Sequence, residues 1–163
     1  MHPTLLLAAL FAITTWGLPV VPPTAESVTA ASPTLTFHVS DFIALDNTAS
    51  PHPLSYLSFL FSDRHPDHSL STTCTLAPSS DKIYKPLFST CANAAVSFRV
   101  SEGEVEIRRG WKSGSGGYMT GTARQGTYWK EGEGGNATKT DGGKFYSRTV
   151  EWELPVTSLS AKA

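Results

Sequence analysis

From Leu35 onward the chain alternates apolar and polar side chains. Leu35, Phe37 and Val39 interleave with Thr36, His38 and Ser40, the period of two of a strand with one buried face. DNTASPHP interrupts this pattern as a turn-rich break. LSYLSFLF (Leu54–Phe61) is apolar enough on both faces to be a central strand. DRHPDH ends it, and Ser69–Leu76 predicts a third strand. The loop APSSDK leads into IYKPLFSTC. Ala95–Val100 and Glu104–Arg109 then alternate cleanly around Ser101-Glu102-Gly103, which predicts a hairpin. KSGSGG is the next turn, followed by a strand over Tyr118–Gln125 and an adjoining piece, Thr127–Trp129. Glycine-rich EGEGGNATKTDGG is expected to be the longest loop. KFYSRTVEWEL is expected to be one last strand, with Tyr146, Arg148, Val150, Trp152 and Leu154 on one face. No helical periodicity follows Thr36. The predicted class is all-β, a compact antiparallel barrel or sandwich, and closure into a barrel would remove exposed edges.

The first 34 residues have a different texture. Leu5–Ile13 is an apolar run too short to span a bilayer as a helix but of signal-peptide length. Thr15 and Gly17 supply the small residues at −3 and −1, so cleavage is expected between Gly17 and Leu18. The run lacks the usual Lys or Arg ahead of it. A buried N-terminal helix is the competing reading, and LPVVPPTAES would break it. Residues 1–17 therefore read as a signal peptide, 18–34 as an extended Pro/Ala/Ser/Thr leader, and 35–163 as a single domain. The expected destination is extracellular. LPVTSLSAKA at the end of the sequence lacks the hydrophobic tail of a lipid-anchor signal.

The net charge is −1, from 13 basic and 14 acidic residues mixed along the chain. A nucleic-acid binder needs a basic stripe, and nothing here attracts an anionic membrane. Neither partner is expected. The two cysteines, Cys74 and Cys91, are an even pair in a chain expected to enter an oxidising compartment. Zinc would need further ligands close by, and no C-x-x-C redox motif is present. The staple reading is the strongest, worth about 3 kcal/mol if the bond is unstrained.

Several segments in order resemble the secreted fungal family of the major Alternaria allergen. They are FHVSDFIA, SYLSFLFSD, STTCTL and FSTCANAAVSFRV, spread over Thr36–Arg124. The resemblance implies an antiparallel β-barrel with Cys74 and Cys91 bonded across its wall, and no established enzymatic activity. It also implies roles as allergen, elicitor or effector, and as a binder of host defence proteins or small phenolic ligands. A C-terminal cysteine pair and the N-terminal cysteine that links two chains in the best-known member are both absent here. A disulfide-linked dimer is therefore excluded if Cys74 pairs with Cys91.

Candidate chemistry is sparse. Asp63, His65, Asp67 and His68 of DRHPDH offer metal-ligand types, but a polar turn built on Pro66 and Asp67 is the simpler reading. His65 and His68 would face each other only in a particular turn geometry. Glu102, Glu104, Glu106, Glu151 and Glu153 supply carboxylates for a glycosidase pair, yet the alternation points Glu104, Glu106, Glu151 and Glu153 at solvent. His38 is also expected to face solvent. The sequence contains no G-x-S-x-G, H-E-x-x-H or phosphate-cradling glycine motif, and nothing calls for a cofactor. Asn136-Ala137-Thr138 is a sequon in a predicted loop, so Asn136 is a candidate N-glycosylation site. Trp111, Tyr118, Tyr128 and Trp129 lie near glycine-rich turns. They are a candidate platform for a phenolic or glycan ligand or a protein partner, against the alternative of ordinary core packing.

Overall fold

The computed structural model describes residues 34–47, 54–79, 82–101, 103–114, 116–127, 135–140 and 143–162. The proposed signal peptide, its cleavage point and the leader up to residue 33 lie outside them. So do Tyr128, Trp129 and Glu102.

The described residues form ten strands and no helix. These are β1 (Thr36–Asn47), β2 (Ser55–Asp63), β3 (Leu70–Ser79), β4 (Ser89–Thr90) and β5 (Val96–Ser101). They continue with β6 (Glu104–Lys112), β7 (Tyr118–Gly126), β8 (Gly135–Thr140), β9 (Gly143–Arg148) and β10 (Trp152–Lys162). Every pairing is antiparallel. The order is β3-β2-β1-β10-β7-β6-β5-β4, with β9 on β1 and β8 on β9. The result is a nearly closed β-barrel.

β1 is the strand on which the wall depends. One of its edges takes β2, and the other takes β9 along Ile43–Asn47 and β10 along Thr36–Val39. Between these halves the β1–β2 register slips, between Ser40 and Ile43. Asp41 sits there at φ 53°, in a left-handed region that Asp tolerates better than most residues. The extra residue of this bulge resets the parity of the strand. Phe37 and Val39 point inward before it, and Phe42 and Ala44 after it. A strict alternation would have turned the second pair out to solvent.

The inward faces supply one core. Phe37, Phe42, Phe59, Phe61 and Phe98 are all fully buried. Phe59 of β2 meets Phe98 of β5 edge-on at 5.0 Å, and Phe37 meets Phe61 at 5.2 Å. Such aromatic pairs add about 1 kcal/mol beyond the area they bury.

β3 and β4 are the two ends of the strand path, and the chain closes the seam between them. The Ala92 amide donates to the Thr73 carbonyl at 2.9 Å, and the Asn93 amide to Thr72 Oγ1 at 2.9 Å. Cys74, which pairs with Phe59 and so faces inward, is bonded to Cys91 just after β4. The bridge is buried.

Three sequence expectations are corrected. The segment expected as the longest loop contains β8, which pairs with β9, so Asn136 stands on a strand opposite Ser147. Glycine-rich composition hid a strand that needs only one backbone partner. KFYSRTVEWEL is two strands with a bend between them, because β9 and β10 meet β1 on either side of its bulge; Val150 at the bend is exposed. β1 also runs on through Asp46 and Asn47, and β3 continues to Ser79, into segments expected to be turns. The Ser101–Gly103 hairpin is found as expected, with Gly103 at φ 86°.

Replacing Cys74 and Cys91 together by serine should lower stability by about 3 kcal/mol. Chemical denaturation of the variant and of the reduced native chain checks this, and the two should agree.

Candidate functional site: a histidine–tryptophan column at one end of the barrel

The β2–β3 connection and the β6–β7 turn lie at the same end of the barrel, because β2 runs toward it and β7 runs away from it. The inward alternation of β2, Ser55-Leu57-Phe59-Phe61, extends one step further to Asp63, whose carboxylate is fully buried. The inward alternation of β6, Val105 and Ile107, extends to Arg109 and Trp111. Two strands thus deliver opposite charges into the same end of the interior.

The turn Pro66–His68 folds His65 and His68 over this pair, with the His68 amide donating to the His65 carbonyl at 3.3 Å. Both oxygens of Asp63 are used. Oδ1 accepts the His65 amide at 3.0 Å, and Oδ2 accepts His68 Nδ1–H at 2.8 Å. The Asp67 amide donates to His65 Nδ1 at 3.2 Å. Arg109 Nη2 donates to the His68 carbonyl at 3.1 Å. Its Nε lies 3.8 Å from Asp63 Oδ2, too far for a hydrogen bond, and is buried with no hydrogen-bond partner among the described residues. Burial pushes the Arg109 guanidinium below its ordinary value, while Asp63 and then Tyr118 pull it back up.

Above the ion pair the rings form a column. His65 and His68 stack at 4.1 Å, 6° from parallel, and His68 stacks on Trp111 at 4.5 Å and 25°. The indole lies on Gly121 of β7, where an added Cβ would come within 3.2 Å of it and 3.1 Å of Phe37. The column therefore runs from half-exposed His65 down to the core. The His68 ring is stacked between the other two and largely buried, so His65 is the histidine nearer solvent, with the buried charge pair beneath.

The histidine geometry posed as a condition by the sequence is realised. Among the described residues, no group of three or more His, Cys, Asp or Glu is placed to hold a metal ion. Of the four aromatics of the candidate platform, Trp111 and Tyr118 are among the described residues. Trp111 pairs with Met119 and Tyr118 with Lys112, so the two sit on opposite faces of the sheet. Tyr118 instead covers the backbone of Gly110, a position where any Cβ would overlap its phenol.

Three expectations of solvated side chains are also corrected. Glu106 is on the outer face but buried, because Arg99, Arg108 and Arg124 close over it. Glu151 is half-buried between His38 Nδ1 at 2.9 Å and Arg64 Nη2 at 2.6 Å. His38 is mostly buried by the same contact. Outward parity sets the face of a residue and not its exposure, since long neighbouring side chains cover it. Asp63 and Arg109, by contrast, were recoverable from the sequence: each continues an inward apolar alternation by one step.

No protein-family model matches the chain, and no curated protein matches it in sequence. The crystal structure of the Alternaria alternata allergen Alt a 1 matches with a TM-score of 0.52 at 12% identity, over 84% of this chain and 96% of that chain. A second crystal structure of the same allergen gives 0.48 at 11% identity, over 81% and 98%. The first likeness shows a shared fold, the β-barrel that the sequence resemblance implied.

Asp63→Asn removes the charge facing Arg109 and should cost about 3–5 kcal/mol, as for one partner of a buried pair. Chemical denaturation measures it. His65→Ala, which removes only the outermost ring, should cost less than about 1 kcal/mol in the same measurement.

Proposed function

We propose that this chain, which shares its barrel with the allergen Alt a 1, is a secreted, non-enzymatic fungal protein of allergen, elicitor or effector type. It acts at the interface with a host, with a host defence protein as partner. The observation that carries the reading is the buried Cys74–Cys91 bridge across the seam of the barrel. Such a bond belongs to an oxidising compartment, as does a chain opening on an apolar run with small residues before Leu18. The likeness to a fungal allergen supports the same reading from the side of the fold.

A second reading, binding of a small phenolic or glycan ligand, is favoured by the His65–His68–Trp111 column. Stacked rings offer a π-face to a planar or sugar ring, and the Asp63–Arg109 pair beneath fixes their position before any ligand arrives. Native mass spectrometry of the secreted chain, with and without added phenolics, separates this reading from the first.

The export reading is tested by the intact mass of protein collected from the medium of a fungal host. The expected chain begins at Leu18 and takes up no alkylating reagent until reduced. Infiltrated into leaf tissue, it should provoke a defence response. An uncleaved chain with free thiols, retained in the cell, would overturn the proposal.

A further inference from the structure

A second charged assembly lies on the outer face of the barrel, away from the histidine column. In the register of β5, β6 and β7, Arg99 stands opposite Glu106 and Glu106 opposite Arg124. Arg108 follows on the same face of β6. Three guanidinium groups therefore surround one carboxylate that is 2% exposed. Glu104, one row along, is the second carboxylate in reach, 4.0 Å from Arg124. Among the described residues the cluster holds three positive charges against two negative.

The three arginines are not equally committed. Arg99 donates to Glu106 Oε2 through Nε at 2.9 Å and again through Nη2. Arg108 reaches Glu106 only at 3.4 Å, and Arg124 only at 3.5 Å. Each guanidinium carries five N–H donors, so Arg108 and Arg124, about half exposed, keep most of theirs for an incoming group. Arg108 is also held in place from below. Its Cζ lies 3.9 Å over the Phe88 ring, and Arg99 flanks the same ring at 5.0 Å. Beside Phe88, Leu87 is 79% exposed, the most exposed large apolar side chain described.

We propose that this face is a docking surface for an acidic segment of a protein partner, its carboxylates taken by Arg108 and Arg124 and an apolar side chain by Leu87 and Phe88. The charge surplus selects an anion, and the fork of a guanidinium matches a carboxylate in two bonds. Arginines already ordered by stacking and by Glu106 lose little freedom on binding. The exposed leucine decides between macromolecules, because a polyanionic polysaccharide would use the charges and leave Leu87 in water. The surface shares no residue with the histidine column and stands whether or not that column binds a ligand.

The test uses the full secreted chain and two probes, a fluorescein-labelled peptide of alternating Glu and Leu read by anisotropy, and polygalacturonate. Native protein should bind the peptide, more weakly as salt rises. Arg108→Gln with Arg124→Gln should weaken binding by about tenfold, a loss of the size expected for two charged anchors. Leu87→Ser, which touches no ion pair and cannot disturb the fold through them, should weaken it by about threefold. Lys144→Gln, an exposed lysine on β9, should change nothing. Absence of peptide binding, or binding that ignores both Arg108→Gln/Arg124→Gln and Leu87→Ser, overturns the proposal. Polygalacturonate binding that needs the arginines but not Leu87 would assign the surface to a polysaccharide and overturn it equally.

Discussion

A sheet that coils into a barrel has two loose edges until something joins them, and here the junction is Cys74 to Cys91. The strands on either side of that junction are poorly matched. β3 is long, whereas β4 is only Ser89 and Thr90, so few ladder bonds are available to hold the seam. Two hydrogen bonds from Ala92 and Asn93 and one buried covalent bond take their place. The rest of the molecule relies on this closure. Phe59 and Phe98 meet inside only because β2 and β5 are brought round toward each other, and an edge as long as β3 would otherwise be open to pairing with other chains.

The two charged assemblies show how differently a β-barrel can handle ionic groups. Inside, Asp63 and Arg109 are placed by strand parity and satisfied by a turn that wraps over them. Both oxygens of Asp63 accept a hydrogen bond, while Arg109 donates to the His68 carbonyl and leaves its Nε without an acceptor among the described residues. Outside, Glu106 is covered by side chains rather than by backbone. A buried carboxylate costs heavily without partners, and the facing positions on β5 and β7 supply arginines directly across from it. The inner pair rigidifies a surface that faces out of the barrel's end. The outer cluster holds arginines in place while leaving much of their donor capacity unused.

Much of this was legible in the sequence, for physical reasons. Alternation gave the positions of β5 and β6, whose inward faces are apolar, and the apolar run LSYLSFLF gave that of β2. The pair Cys74 and Cys91 was read from compartment and composition. What failed were places where the alternation is broken or absent. The bulge at Asp41 changes parity without any change in composition, so neither the length of β1 nor the split between β9 and β10 could be seen. β8 contributes backbone pairing from a glycine-rich stretch with no hydrophobic signal. The stacking of His65 on His68 depends on the turn at Pro66–His68 and on Asp63 beneath it. That carboxylate lies in a polar run, which masks the inward parity that buries it.

The position of β1 also sets an order of events. Its partner on one side, β2, follows at once in the chain, while the other side waits for β9 and β10, which come after all the other described strands. A nascent chain would therefore hold β1 with a bare edge until β9 and β10 appear. Cys74 and Cys91 emerge well before β10, so oxidation can fasten one seam while the other still gapes. Long-range pairing of this kind is slow and leaves sticky intermediates. A chain built this way is exposed to mispairing during its own synthesis, and without the Cys74–Cys91 bond both seams would be loose at that step.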